Sequence, residues 1–146
     1  MQVNGLELPE RLIQLTKSRR WKRPADTHVL AELTGAAKPE DFTFLNLKRV
    51  AAETGGMLSL WREGHGNYYN LTSANDPDRS TDSRLLQVER TVLIAVNWDD
   101  EAICLDYRES LDEPKVVCGT WPPDPEPCQW KVIAETFDAF VEKLAL

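Results

Sequence analysis

The sequence predicts an α+β fold, a mostly antiparallel sheet with helices packed on it, including an N-terminal helix and a C-terminal helix. Three observations carry that prediction. From Val92 onward, short apolar and β-branched runs follow one another across loops too brief to hold crossover helices. Helical spacing of apolar residues stands near both chain ends. The 146 residues, 42% of them hydrophobic, suffice for one domain spanning 1–146 to bury a core without a disulfide framework.

The elements follow in chain order. Pro9 suits a first helical turn, and Leu8, Leu12, Ile13 and Leu15 recur at near-helical spacing before the basic run Lys17 to Arg23. Asp26 is placed to cap a second short helix bearing Val29, Leu30 and Leu33, which Gly35 ends. Asn46 opens a third, which Gly55 and Gly56 are expected to stop. Beyond them LSLW (58–61) and YYNLT (68–72) read as short strands, and SANDPDRSTDS (73–83) as an exposed loop. Val92 to Val96 and Ala102 to Tyr107 read as strands buried on both faces for part of their length, with Asn97 to Glu101 as their hairpin loop. Lys115 to Cys118 and Gln129 to Ile133 are two further strands, joined by a stiff loop holding Pro122, Pro123, Pro125 and Pro127. Thr136 is the expected N-cap of the last helix, whose apolar stripe is Phe137, Phe140, Val141 and Leu144.

Charge is unevenly spread. Residues 97–146 carry twelve acids against four bases, whereas residues 1–96 are nearly balanced, and the total is −7. Such a chain has little general appetite for phosphate backbones or anionic membranes. The start lacks a basic-then-apolar leader pattern and no apolar run is long enough to span a bilayer, so a cytoplasmic protein is expected, monomeric or a weak homodimer. Three cysteines, Cys104, Cys118 and Cys128, are an odd number with two inside apolar runs, and read as core residues.

The stretches IAVN (94–97), AICLDYRE (102–109), PKVV (114–117) and WKVIAETFDAFVEKL (130–144) together resemble the C-terminal half of the SUKH superfamily. Bacterial toxin-immunity proteins and a fungal regulator of cell-wall synthesis belong to it. LPERLIQLTKSRRWKRP (8–24) and PEDFTFLN (39–46) resemble the N-terminal part of a bacterial branch. The resemblance implies an α+β fold and a role in binding other proteins, frequently as the antidote to a toxic effector, with no catalytic centre. Two features depart from the pattern: the hairpin usually has a Gly where this chain has Trp98-Asp99-Asp100-Glu101, and Cys118-Gly119-Thr120 stands where an Asp-bearing segment often follows.

The chemistry-bearing residues favour no enzyme. Three consecutive acids on a tight turn diverge, unlike the spaced ligands of a calcium loop, and neither His28 nor His65 has zinc-ligand neighbours, so no metal or cofactor is expected. Cys104 lies mid-strand among apolar residues, where a thiol is inert. GHGNYY (64–69) reads as a turn. Asp106 is read as bonding nearby backbone to order the strand end, with a partner contact as the alternative. Lys17 to Arg23 mixes bases and Trp21 as a nucleic-acid contact does, but a solvated helix end suits the acidic chain better.

The candidate partner-binding residues are therefore acids and tryptophans on loops. Trp98, Asp99, Asp100 and Glu101 form the hairpin tip; Glu109, Asp112 and Glu113 lie in the next loop; Trp121, Asp124 and Glu126 lie in the proline-rich one. Tryptophan is enriched at the energetic centres of interfaces, although either ring could instead fold back over the sheet edge. The implied partner is a protein, such as a basic toxin of nuclease type, whose phosphate-attracting site acidic residues would cover. A regulatory or scaffold domain with a housekeeping partner is the alternative.

Overall fold

The sequence Val3-Asn4-Gly5-Leu6 makes a tight turn before the first helix. The computed structural model describes residues 1–63, 86–120 and 129–146, and begins with strands β1 (Gln2–Val3) and β2 (Leu6–Glu7). Asn4 and Gly5 both take positive φ, 51° and 79°, which a two-residue turn matched to strand twist demands. Sequence reading passed over this hairpin. Its Val3 and Leu6 are buried.

Helix α1 (Glu10–Lys17) starts directly after Pro9, with Glu10 in its first turn and Lys17 in its last, each the favourable sign for the helix dipole. It buries Leu12, Ile13 and Leu15. Helix α2 (His28–Thr34) ends at Gly35, whose φ of 70° is the left-handed stop expected there. Asp26 acts one position earlier than a standard cap, its carboxylate accepting from the His28 N–H at 2.9 Å. A 3-10 turn (Pro39–Asp41) then leads into strand β3 (Thr43–Phe44).

Helix α3 (Leu47–Glu63) corrects two expectations at once. Asn46 opens it, its side-chain oxygen accepting from the Arg49 N–H at 2.9 Å, but the helix runs through Gly55 and Gly56 and takes in Leu58 to Trp61, which had read as a strand. Each interior glycine costs about 1 kcal/mol against alanine. Burial of Val50, Met57 and Leu58 on one face offsets this at about 1.5–3 kcal/mol per side chain. Packing outweighs propensity. The readings of 68–72 and 73–83 lie outside the described residues.

The main sheet has strand order β3-β4-β5-β6-β7, every neighbouring pair antiparallel, with β4 (Thr91–Val96), β5 (Ala102–Asp106), β6 (Lys115–Thr120) and β7 (Gln129–Ala134). All five residues of β5 are buried, so both faces of the sheet centre are covered. A register shift between Leu93 and Ala95 leaves Ile94 as the extra residue of β4. The fully buried Thr54 hydroxyl of α3 accepts from the Leu93 N–H at 3.0 Å, and the Ile94 carbonyl accepts from Leu45 at 2.9 Å. Helix and bulge thus fix each other.

The final helix α4 (Phe137–Leu144) is capped as expected, the Thr136 hydroxyl accepting from the Ala139 N–H at 3.1 Å. Its Phe137 and Phe140 meet Trp21, with ring centroids 5.5 Å and 6.4 Å away, and Trp21 also meets Phe44 at 4.6 Å. One hydrophobic cluster joins these rings to the sheet. Tyr107 pins the N-terminal hairpin to it: its backbone N–H donates to Arg90 and its hydroxyl donates to the Glu7 carbonyl at 2.7 Å.

Candidate protein-binding surface

Strands β4 and β5 are joined by residues 98–100, a three-residue turn closed by Asn97 and Glu101. The Asn97 N–H donates to the Glu101 carbonyl at 3.1 Å, and Asp100 takes the left-handed conformation at φ 57°. Asn97, only 8% exposed, organises the rest. Its side-chain oxygen accepts from the N–H groups of Asp99 at 3.0 Å and Glu101 at 2.9 Å, while its amide donates to the Glu101 carboxylate at 2.9 Å. The turn is therefore internally bonded before any partner arrives. Trp98 stands off it 86% exposed, so its ring does not fold back over the sheet. Asp99 and Asp100 are exposed as well, whereas Glu101 is half-buried and committed to Asn97.

Two depressions flank this tip. Gly35, Ala37, Asp99, Glu101 and Thr120 line one; Asp41, Thr43, Arg49, Val96, Asn97 and Trp98 line the other. Arg49 there reaches Glu53 one helical turn on, at 3.4 Å.

Antiparallel topology separates the remaining candidates from the tip. Strand β5 carries the chain away from it, so Glu109, Asp112 and Glu113 lie at the opposite end of the sheet, about 17 Å distant at strand rise. Glu109 is paired there with Lys115 at 2.9 Å, and Lys115 also reaches Glu135 at 3.4 Å. Asp112 and Glu113 are exposed beside Leu111, and both their N–H groups donate to the Ser110 hydroxyl. Trp121, Asp124 and Glu126 lie outside the described residues. Thr120 pairs with Gln129 at the hairpin end of the sheet.

A family model, the SMI1 / KNR4 family (SUKH-1), matches residues 2–143. The chain belongs to that family. No curated protein and no solved structure matches it.

Within this SUKH-1 chain both departures from the family pattern have a structural account. Asp100 occupies the left-handed position that a hairpin glycine would take, and Asp tolerates that region better than most residues. Cys118, Gly119 and Thr120 continue β6, which extends two residues past the expected strand end. Burial, and next the charge of Glu101, push the Cys118 thiol up to about 12. It is a core thiol. Neither Cys104 nor Cys118 is in a disulfide, and Cys128 lies outside the described residues.

Asp106, 5% exposed, orders the strand end as read from sequence. Its carboxylate accepts from the Arg108 backbone N–H at 3.1 Å and pairs with the guanidinium at 2.9–3.1 Å. In the basic run, Trp21 is buried with its ring N–H donating to the Leu45 carbonyl at 3.1 Å. Arg23 donates to the carbonyls of Glu40 and Phe42. That segment's aromatic is core, and is not available to stack on a base. Among the described residues no group of three metal-binding side chains forms, and no helix is long and apolar enough to cross a membrane. Sequence reading missed Asn97; an Asn two residues before a turn's first acid is the signal that would have found it.

Proposed function

We propose that this chain is an immunity-type protein that works in the cytosol, binding a toxin effector and neutralising it by laying the hairpin end over a basic region. The observation that carries the reading is Trp98, 86% exposed on a turn whose backbone is already held by Asn97. An exposed indole on a pre-ordered turn loses little conformational freedom on binding, and the acids beside it steer a cationic partner. Membership of the SUKH-1 family supports a protein-binding role.

The test starts from a neighbouring gene that encodes a large protein with a toxic C-terminal end. Co-expression should restore growth, and the purified pair should bind. Replacing Asp99 by Lys and Asp100 by Asn, which keeps a residue that tolerates the left-handed position, should slow association, most at low salt, with unfolding little changed. Glu101 is left alone because its carboxylate holds Asn97. Binding without protection from any toxin would favour a regulatory partner; normal kinetics in the double variant would remove the hairpin end from the interface.

A further inference from the structure

We infer that the segment from Lys17 to Lys22 is a second interaction surface, a pre-ordered basic loop that takes an acidic peptide segment of a protein partner. The inference goes beyond the toxin-binding reading and does not depend on the hairpin end. Lys17, Arg19, Arg20 and Lys22 are exposed, and none of them pairs with an acid or bonds through its side chain to another described residue. The chain has 24 acids against 17 bases, so acids to pair with are in excess. Four bases within six residues nevertheless stay open to solvent, and are not an internal complement to the acidic third.

The backbone that carries these bases is fixed. Every N–H from Ser18 to Lys22 donates to a carbonyl of the chain, at 2.8–3.1 Å. The bonds from Arg20 to Leu15 and from Arg19 to Thr16 form a helix-ending Schellman motif whose pivot is Arg19, at φ 60°. Glycine is the usual residue at such a pivot, because a Cβ is crowded in the left-handed region. Arg19 occupies it although its side chain makes no bond that would hold it there, so the strain is borne for a charge presented outward. Past the bases, Trp21 is buried and Arg23 bonds the carbonyls of Glu40 and Phe42, which anchors the loop to the fold. Lys17 alone answers the dipole of α1, which acts within the last turn; it does not account for Arg20 and Lys22.

The groups present select carboxylates. Two guanidiniums offer paired donors that fit a carboxylate through two parallel bonds. A nucleic-acid strand would call for a ring to stack on, and Trp21 is withdrawn into the core. A long polyanion or an anionic bilayer would also meet the field of the −7 chain beyond the loop, whereas a short acidic segment covers the loop alone.

The full-length chain is titrated at low salt with an oligoglutamate peptide, a thymidine oligonucleotide of equal charge and vesicles containing phosphatidylserine, followed by amide NMR signals and, for the vesicles, by co-sedimentation. Oligoglutamate should bind most tightly of the three, with the largest shifts at residues 17–22, and its affinity should fall as salt rises. Arg19→Gly should weaken it about two- to fivefold while the chain unfolds no more easily, since glycine relieves the left-handed strain. A side chain kept for folding would move both readouts together. Arg20→Gln and Lys22→Gln, which remove side chains that bond to no described residue, should each weaken oligoglutamate by a similar factor, and they carry the test should Arg19→Gly disturb the turn. Absence of oligoglutamate binding, shifts confined to other residues, or an affinity unchanged in these variants would overturn the inference. Tighter binding of the oligonucleotide or of the vesicles would overturn it as well, and would assign the loop to nucleic acid or to lipid.

Discussion

Replacing Asn97 by Ala tests whether the hairpin tip is held by one side chain. The substitution removes two bonds accepted from the Asp99 and Glu101 N–H groups and one donated to the Glu101 carboxylate, all between 2.9 and 3.0 Å. At about 1 kcal/mol net per bond, the ceiling is about 3 kcal/mol. Asn97 is 8% exposed, but its partners lie at the tip, where water can replace part of what is lost. The expected loss of stability is therefore about 1.5–2.5 kcal/mol. Urea unfolding at constant slope would measure it, and amide exchange at Asp99 and Glu101 should quicken, since those N–H groups lose their acceptor. Asn97→Asp is the control. It keeps an acceptor for the two N–H groups but replaces the amide donor with a second carboxylate facing Glu101, so it should recover only part of the lost stability. An Asn97→Ala chain that loses less than about 0.5 kcal/mol, with unchanged exchange, would refute the reasoning and leave the turn's order to its backbone alone.

Four further outcomes follow from the fold. Thr54→Val keeps the shape of a fully buried side chain but leaves the Leu93 N–H without its acceptor, and should cost about 1–3 kcal/mol in denaturant unfolding. Gly55→Ala or Gly56→Ala should instead raise the unfolding free energy by about 0.5–1 kcal/mol each, seen as a higher midpoint at unchanged slope, because no described atom lies within 4 Å of the added Cβ and the helix runs through both positions. Phe140→Ala should cost about 3–5 kcal/mol as a lost core ring, against about 1 kcal/mol for Thr136→Ala as a lost cap, measured by the same unfolding curves. Burial raises the Tyr107 phenol above its ordinary value of 10.0, so its contribution to stability is full below that pH and declines as the pH rises past it, when the unfolded chain loses the proton first; Tyr107→Phe should remove that part of the alkaline slope and cost about 1 kcal/mol at neutral pH through the unpaired Glu7 carbonyl.

Features set by a few neighbouring residues were readable from the sequence. Asn46 and Thr136 open their helices, Gly35 closes another, and residues 97–101 form the hairpin, because a cap or tight turn depends on hydrogen bonds within four residues. The same holds for the apolar run Ala102 to Leu105 of β5 and the stripe of α4, whose periodicities reveal how many faces are covered. The Asn4-Gly5 turn was equally local, and was missed because its two-residue strands are too short to show a period. The tertiary structure alone decided what depends on residues distant in sequence. Helix α3 passes two glycines because the sheet rewards the burial of Val50, Met57 and Leu58, and Trp21 is withdrawn from the surface because Leu45, Phe44 and Phe137 receive it. The acidic third looked like one surface along the chain. Antiparallel pairing turns it into two, since each strand that leaves the hairpin tip sets its next loop at the far end of the sheet, and so leaves Trp98 with Asp99 and Asp100 while it carries Asp112 and Glu113 away.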